Sequence, residues 1–435
     1  MPESLDVAIV GAGLAGLTAA RDLLAAGKSV LIFEARDRVG GKVLNAHLEN
    51  GGITEVGAEF VGPTQDRVLA LISNLGLKTF NTYTDGNNVL WENKTRVAYA
   101  NGLPPINNAS LLEAGTAQIA LDEMAASINA SAPWAHPKAK EWDSVSFGSW
   151  LDTATPSSSA RFLLNAFASS VFGAENSRAL TPLRRTANNA QAQRVEGGTQ
   201  LIPIKLSEHI GFQHILFNSP VTSITQTPSG YEIETNSANK ITAKEVVIAM
   251  SPPLSRKIKF IPPLPQARME LQQKTIMGAT GKAIAVYKMP FWRTTLNGMV
   301  ISDSGAVRVT FDNSPSNGSF GAIMGFIEAN EMRRLDGKSE ADVQKEVLVD
   351  YVNYFGEEAR EIQEFVLMRW DNERYSMGAP VAFFPPGVLT SVGEALREIV
   401  GGIHFAGTET AVYWTGYMDG AIRSGERVAR EILGL

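Results

Sequence analysis

Asp6-Val7-Ala8-Ile9-Val10-Gly11-Ala12-Gly13-Leu14-Ala15-Gly16 runs a short apolar strand straight into a glycine turn and the start of a helix. The alanine- and leucine-rich stretch from Leu14 to about Ala26 predicts that helix. Ser29-Val30-Leu31-Ile32-Phe33 predicts a second strand, ending at Glu34. Each glycine has its own physical reason. Gly11 makes the tight turn, Gly13 lets backbone approach a pyrophosphate, and Gly16 lets the helix pack close on the strand. The helix N-terminus offers unpaired N–H groups and the positive end of its dipole to an anion. Glu34, about 20 residues on, suits a ribose 2′-hydroxyl and disfavours a 2′-phosphate, hence NADP. Glycine turns between strand and helix are common. Strand, helix and acid in register point to a dinucleotide, without choosing between NAD and FAD.

Bulk properties narrow the field. A chain of 435 residues exceeds one simple core and suggests two intertwined domains. Hydrophobic content of 44% and charged content of 19% are those of an ordinary globular protein. A net charge of −6 gives no reason to expect nucleic acid or an anionic membrane as partner. There is no cysteine, which removes disulfides, thiolate catalysis, Cys-zinc sites and any cysteine-linked flavin. Five histidines, widely scattered, suggest no metal cluster. A strand entered by residue 6 and the lack of an apolar span near 20 residues lead to the expectation of a cytoplasmic chain with no leader and no membrane anchor.

Strand and helix patterns mix along the whole length, with no internal repeat. After the nucleotide unit comes a glycine-rich passage, Gly51–Pro63, with Thr64 expected to cap a helix carrying Val68, Leu71, Ile72 and Leu75. A strand patch (Lys78–Ala98) and helices around Ala117–Ile128 and Phe162–Val171 follow. The stretch Ile215–Ile224 reads as one strand beside Tyr231–Thr235, and Lys244–Met250 as a further, buried one. Strands at Lys282–Tyr287, Met299–Asp303 and Ala322–Ile327 precede a helix over Ala341–Phe355, and Gly416–Ile432 closes the chain as a long helix. The implied fold is α/β: a Rossmann-like FAD-binding domain (residues 1–76, 195–270 and 373–435) with an interleaved mixed α+β substrate domain (77–194 and 271–372). Substrate would lie between the two.

Gly40-Gly41, after the basic turn Arg36-Asp37-Arg38, extends the first motif in a way that favours FAD. Together with Gly57-Ala58-Glu59-Phe60-Val61-Gly62-Pro63, Gly197-Gly198-Thr199-Gln200, Gly281-Lys282-Ala283, Phe384-Pro385-Pro386-Gly387 and Phe405 through Gly420, it resembles the flavin-dependent monoamine oxidase family over nearly the whole chain. The resemblance implies a cofactor site of Gly11, Gly13, Gly16, Glu34, Arg36, Gly41, Lys42, Gly57, Ala58, Glu59, Phe60, Val221, Gly407, Glu409, Tyr417 and Met418. Within it Glu34 would hold the adenosine ribose, Arg36 and Lys42 lie near the diphosphate and flavin, and Val221 meets the adenine through its backbone. Glu409 would lie near the ribityl–phosphate portion, and Met418 would offer its N–H to the flavin pyrimidine edge. Lys282 would reach flavin N5 through a water, where a fixed cation can stabilise developing negative charge. Tyr417 would form one wall of an aromatic cage for the amine.

The chain also departs from the family. Ala379 stands at the position of the flavin-linking cysteine, so FAD is expected to be noncovalent, and Pro380 replaces the second cage aromatic. Trp370 or Phe383 turned inward would complete the cage; Trp414 suits packing as well as caging. Lys42 replaces an arginine and loses the planar fork. Between Gly173 and Arg194 the chain is short and proline-broken at Pro182, which implies a thinner cavity wall, or one closed by a second copy as a homodimer. Arg184-Arg185 in that stretch is either a solvated pair or a contact for an acidic substrate.

Three functions follow in order. The first is an amine oxidase that takes hydride from the carbon α to nitrogen and returns electrons to O2 as H2O2. The second is a biosynthetic oxidase of a bulky alkaloid, amide or amino-acid-derived intermediate whose imine cyclises. The third is a flavin dehydrogenase or a non-catalytic FAD-binding protein.

Overall fold

A computed structural model describes residues 4–100, 102–172, 190–237 and 240–435. The opening motif folds as its residues require. Strand β1 (Leu5–Val10) pairs in parallel with β2 (Val30–Phe33), and helix α1 (Leu14–Ala25) connects them. Both strands belong to an 8-stranded sheet in which β1 lies between β2 and the long strand Lys240–Ala249. One edge of Lys240–Ala249 serves two partners. Residues 240–243 pair antiparallel with Gly230–Thr235, and residues 246–249 pair in parallel with Ile403–Ala406. Helix Met418–Leu433 packs across α1 so closely that a Cβ on Gly425 would overlap the Ala15 carbonyl oxygen.

The second large sheet has 7 strands, in the order Glu364–Arg369, Thr280–Tyr287, Gly321–Glu328, Val309–Asp312, Leu296–Ser302, Asn87–Glu92, Thr95–Tyr99. Thr280–Tyr287 is buried at every position, and alternation sorts its side chains. Ala283 and Ala285 face a core built with Val343, Val347 and Tyr351 of helix Glu340–Phe355. Ile284 and Val286 face the other way, onto Leu48, Val56 and Phe60. Lys282 shares that second face by parity, which turns it toward the nucleotide-binding side. The fold is α/β, and each sheet draws strands from several separated stretches. We propose for the domains the five-segment division given above.

Three local expectations are corrected. Ile215–Ile224 is two strands: Ile215–Leu216 joins β2, whereas Val221–Thr227 joins Gly230–Thr235. Asn218, at φ 53°, and Pro220 break the run between them. Thr64 does not cap the next helix, α2 (Asp66–Asn74), because it holds φ 69° and Gln65 occupies the cap position. Buried Asp419 caps α2 across the fold instead, accepting from the N–H groups of Arg67 (2.7 Å) and Val68 (3.0 Å). Finally, the helix placed around Ala117–Ile128 begins a turn or more earlier, at Asn108, where Asn107 accepts from the Ser110 N–H.

Candidate active site

A cavity of about 590 Å³ runs from the glycine turn to the face of the second sheet. At its nucleotide end Gly13, Leu14 and Ala15 present the N-terminus of α1, which no side chain among the described residues caps. A Cβ on Gly13 would meet no described protein atom and would project into the cavity; a Cβ on Gly16 would overlap the Gly11 carbonyl oxygen. Gly16 therefore serves packing and lies outside the lining, as its place in the motif implies. Glu34 is buried in the wall, its two oxygens accepting from the N–H groups of Ala12 (2.8 Å) and Arg36 (2.9 Å). A carboxylate keeps further lone pairs for ribose hydroxyls. Val221, Pro220 and Thr222 line the far end. An uncapped helix start, a glycine cradle and a buried acid fit the adenosine diphosphate half of FAD.

The two basic residues expected near the diphosphate both line the cavity and are each engaged by protein groups. Arg36 donates to Glu373 and to Ser376 Oγ (2.9 Å). Its Nε is buried and has no hydrogen-bond partner among the described residues. Lys42 Nζ donates to the Pro380 carbonyl (2.6 Å) and stands 4.0 Å from Glu409. Burial pushes the Lys42 ammonium below the ordinary lysine range, against the attraction of Glu409. Glu409 accepts from Ser251 Oγ (2.7 Å) and the Ala382 N–H (3.1 Å). Gly407, Tyr417 and Met418 complete this side, where Met418 opens the helix Met418–Leu433.

At the other end Lys282 is 5% exposed and donates to the Glu55 carbonyl oxygen (3.0 Å) and Glu59 Oε2 (2.7 Å). Glu59, placed in the cofactor set from sequence, lines the cavity with Gly57, Ala58 and Phe60. Both of its oxygens face protein donors, because Asn313 Nδ2 and Arg194 (3.1 Å) take Oε1. Its carboxylate also holds Lys282. Arg194 also meets Glu55 at 2.5 Å. Burial raises the Glu55 pKa against the pull of Arg194. Two acids and two bases thus share one buried network, with charges that balance.

Trp370 does line the cavity, held by its Nε1–H on the Val56 carbonyl (2.8 Å). Phe383, expected to turn inward, is not among the lining residues, a correction to that expectation. It belongs to the two-residue strand Ala382–Phe383, paired with Ile276–Met277. Trp414 also stands outside the lining, donating to the Thr64 carbonyl (2.8 Å) and packing edge-on against Tyr417 at 4.9 Å. Residues 173–189, including Pro182 and Arg184-Arg185, lie outside the described residues. Sequence reasoning missed Phe326, Thr280, Arg374 and Tyr375, which all line the cavity. Phe326 is the cross-strand partner of Lys282, visible only once the sheet register is known. Tyr375 directly precedes Ser376-Met377-Gly378-Ala379 and was within reach of the motif.

A family model, flavin containing amine oxidoreductase, matches residues 14–433. The amine oxidase [flavin-containing] B of Homo sapiens is 34% identical over 452 residues, covering 100% of this chain and 87% of that protein. Among solved structures, a putrescine oxidase bound to putrescine superposes with a TM-score of 0.95 at 30% identity, over 99% of each chain. The cyclohexylamine oxidase of Brevibacterium oxydans gives 0.94 at 29% identity, again over 99% of each.

Proposed function

The chain belongs to the flavin-containing amine oxidoreductases, FAD enzymes acting on carbon–nitrogen bonds, and on that premise we propose that it oxidises a monoamine with an apolar carbon skeleton. Bound FAD would accept a hydride from the carbon α to nitrogen and pass the electrons to O2, giving H2O2 and an imine that hydrolyses. The chain supplies position, dryness and charge. Tyr417, Trp370, Phe60 and Phe326 give the reacting end of the cavity an aromatic lining. Lys282, fixed by Glu59 and the Glu55 carbonyl, keeps one ammonium at that wall for negative charge developing there. The role of Lys282 rests on this burial and fixation. A neutral amine entering the cavity needs no general base from the protein.

The charge census supports the substrate class. Among the described residues, the carboxylates lining the cavity are Glu34, Glu59 and Glu409, and each accepts from protein donors. Glu59 has both oxygens on protein donors, Glu34 lies at the nucleotide end and Glu409 stands beside Lys42, which favours a monoamine over a diamine at the reacting end. The test is peroxide release with two families of substrate, cyclohexylamine and benzylamine against putrescine and cadaverine. Higher kcat/KM for the monoamines is expected; a preference for the diamines would overturn the substrate class, and turnover only of bulky cyclisable amines would favour the biosynthetic reading.

A further inference from the structure

The two acids of the Lys282 network are held very differently. Glu59 has Lys282 (2.7 Å) on one oxygen, with Asn313 and Arg194 (3.1 Å) on the other. Glu55 ends the short strand Ile53–Glu55, and its side chain is fully buried. Its Oε2 accepts from Arg194 (2.5 Å), whereas its Oε1 has no hydrogen-bond partner among the described residues. A second Lys282 donor meets the Glu55 backbone carbonyl (3.0 Å), so both acids stand at the same cavity wall. Beyond them Asp312 faces Arg194 and is itself held by Arg293 (2.7 Å) and the Trp292 indole N–H (2.9 Å).

Lys282 and Arg194 offset Glu55 and Glu59 while the cofactor is oxidised. Accepting a hydride adds one negative charge beside this cluster, where little water is present to screen it. Glu55 is the group able to compensate. Burial favours its neutral form, Arg194 opposes that, and the Glu59 charge favours it again. Its unfilled oxygen can take a proton while Oε2 keeps its bond to Arg194. We propose that Glu55 is a redox-linked proton site: Oε1 binds a proton from solvent when the cofactor is reduced and releases it on reoxidation. The carboxylate becomes a carboxylic acid, one O–H bond forms, and no electron passes through Glu55. The residue touches no substrate and acts on the cofactor through charge. The inference rests on the reading that the redox-active end of FAD lies at the Lys282 wall, and not on the choice of amine.

The test is the reduction potential of FAD in the holoenzyme against pH, by equilibration with redox dyes and with no amine present. Each proton bound along with two electrons moves the potential by about 30 mV per tenfold change in proton concentration. The wild-type potential should fall with rising pH more steeply than that of Glu55→Gln, by a resolvable part of this one-proton slope. The curves should meet at the acid end, where Glu55 is already neutral, and part at the alkaline end, with the variant higher. Glu55→Asp keeps a carboxyl and should restore the steeper slope, whereas a merely structural role gives all three the same slope. Lys282→Met should lower the potential at every pH. Parallel wild-type and Glu55→Gln curves with that drop intact would overturn the proposal alone. A Lys282→Met potential equal to wild type would overturn the placement of the flavin at this wall, and the proposal with it. Where Glu55→Gln yields no folded holoenzyme, the reduced-minus-oxidised infrared spectrum of the wild type decides. A new protonated-carboxyl band, shifted in D2O and in Glu55→Asp, is expected; its absence would overturn the proposal.

Discussion

Lys282 was legible in the sequence as a lysine in a strand of otherwise apolar residues, but its partner was not. Glu59 lies 223 positions away, and only the packing of the second sheet on the 55–60 loop brings the two together. Glu34 could be found because its role is local to one strand–turn–helix unit. Phe383 lies in a short strand whose pairing is invisible in the residue pattern, and it is not among the cavity-lining residues. Two residue-level outcomes follow. Lys282→Met should slow reoxidation of photoreduced flavin by roughly 100-fold, the effect typical of removing one preorganised charge-stabilising donor; an unchanged stopped-flow trace would remove Lys282 from the chemistry. Glu59→Gln should slow the same step through loss of Lys282 fixation, and its effect should vanish in a Lys282→Met background. Independent, additive losses would mean that Glu59 acts without Lys282.

At the scale of elements, apolar periodicity located most strands and helices, while ends and caps followed tertiary contacts. Asp419 illustrates the limit: it lies in the first turn of one helix and caps another more than 350 positions away. Asp419→Ala should lower stability by about 1 to 2 kcal/mol in urea unfolding, with Asp419→Asn recovering much of it. A loss no larger than that of an exposed acid on α2 would argue against the cap. Helix Glu340–Phe355 carries a second measurable acid. Burial pushes Asp350 up to about 7, although its carboxylate accepts the Val307 N–H at 3.0 Å. Its folded pKa exceeds the ordinary value of 3.8, so the native state binds the extra proton between the two. Stability from this group is therefore lost as pH rises from about 4 to about 7. Wild-type Tm should fall more steeply than that of Asp350→Asn across this window; parallel curves would show that Asp350 does not titrate there.

For the whole molecule, the glycine turn announced a dinucleotide and the motif series announced its flavin family, because both are written in contiguous residues. The shape of the reacting cavity was not legible, since it is assembled from strands whose neighbours are set by sheet order. With no cysteine in the chain, FAD cannot be linked through a cysteine sulfur. Acid precipitation should leave a colourless pellet and a yellow supernatant, whereas a yellow pellet would reveal a covalent link. Among the described residues no helix is long and apolar enough to cross a membrane. The decisive measurement is anaerobic mixing of holoenzyme with cyclohexylamine, followed by admission of air. Bleaching of the flavin absorbance, then its return with one H2O2 per flavin, is the predicted result. A flavin that stays oxidised through primary, secondary and tertiary amines alike would contradict amine oxidation by this chain.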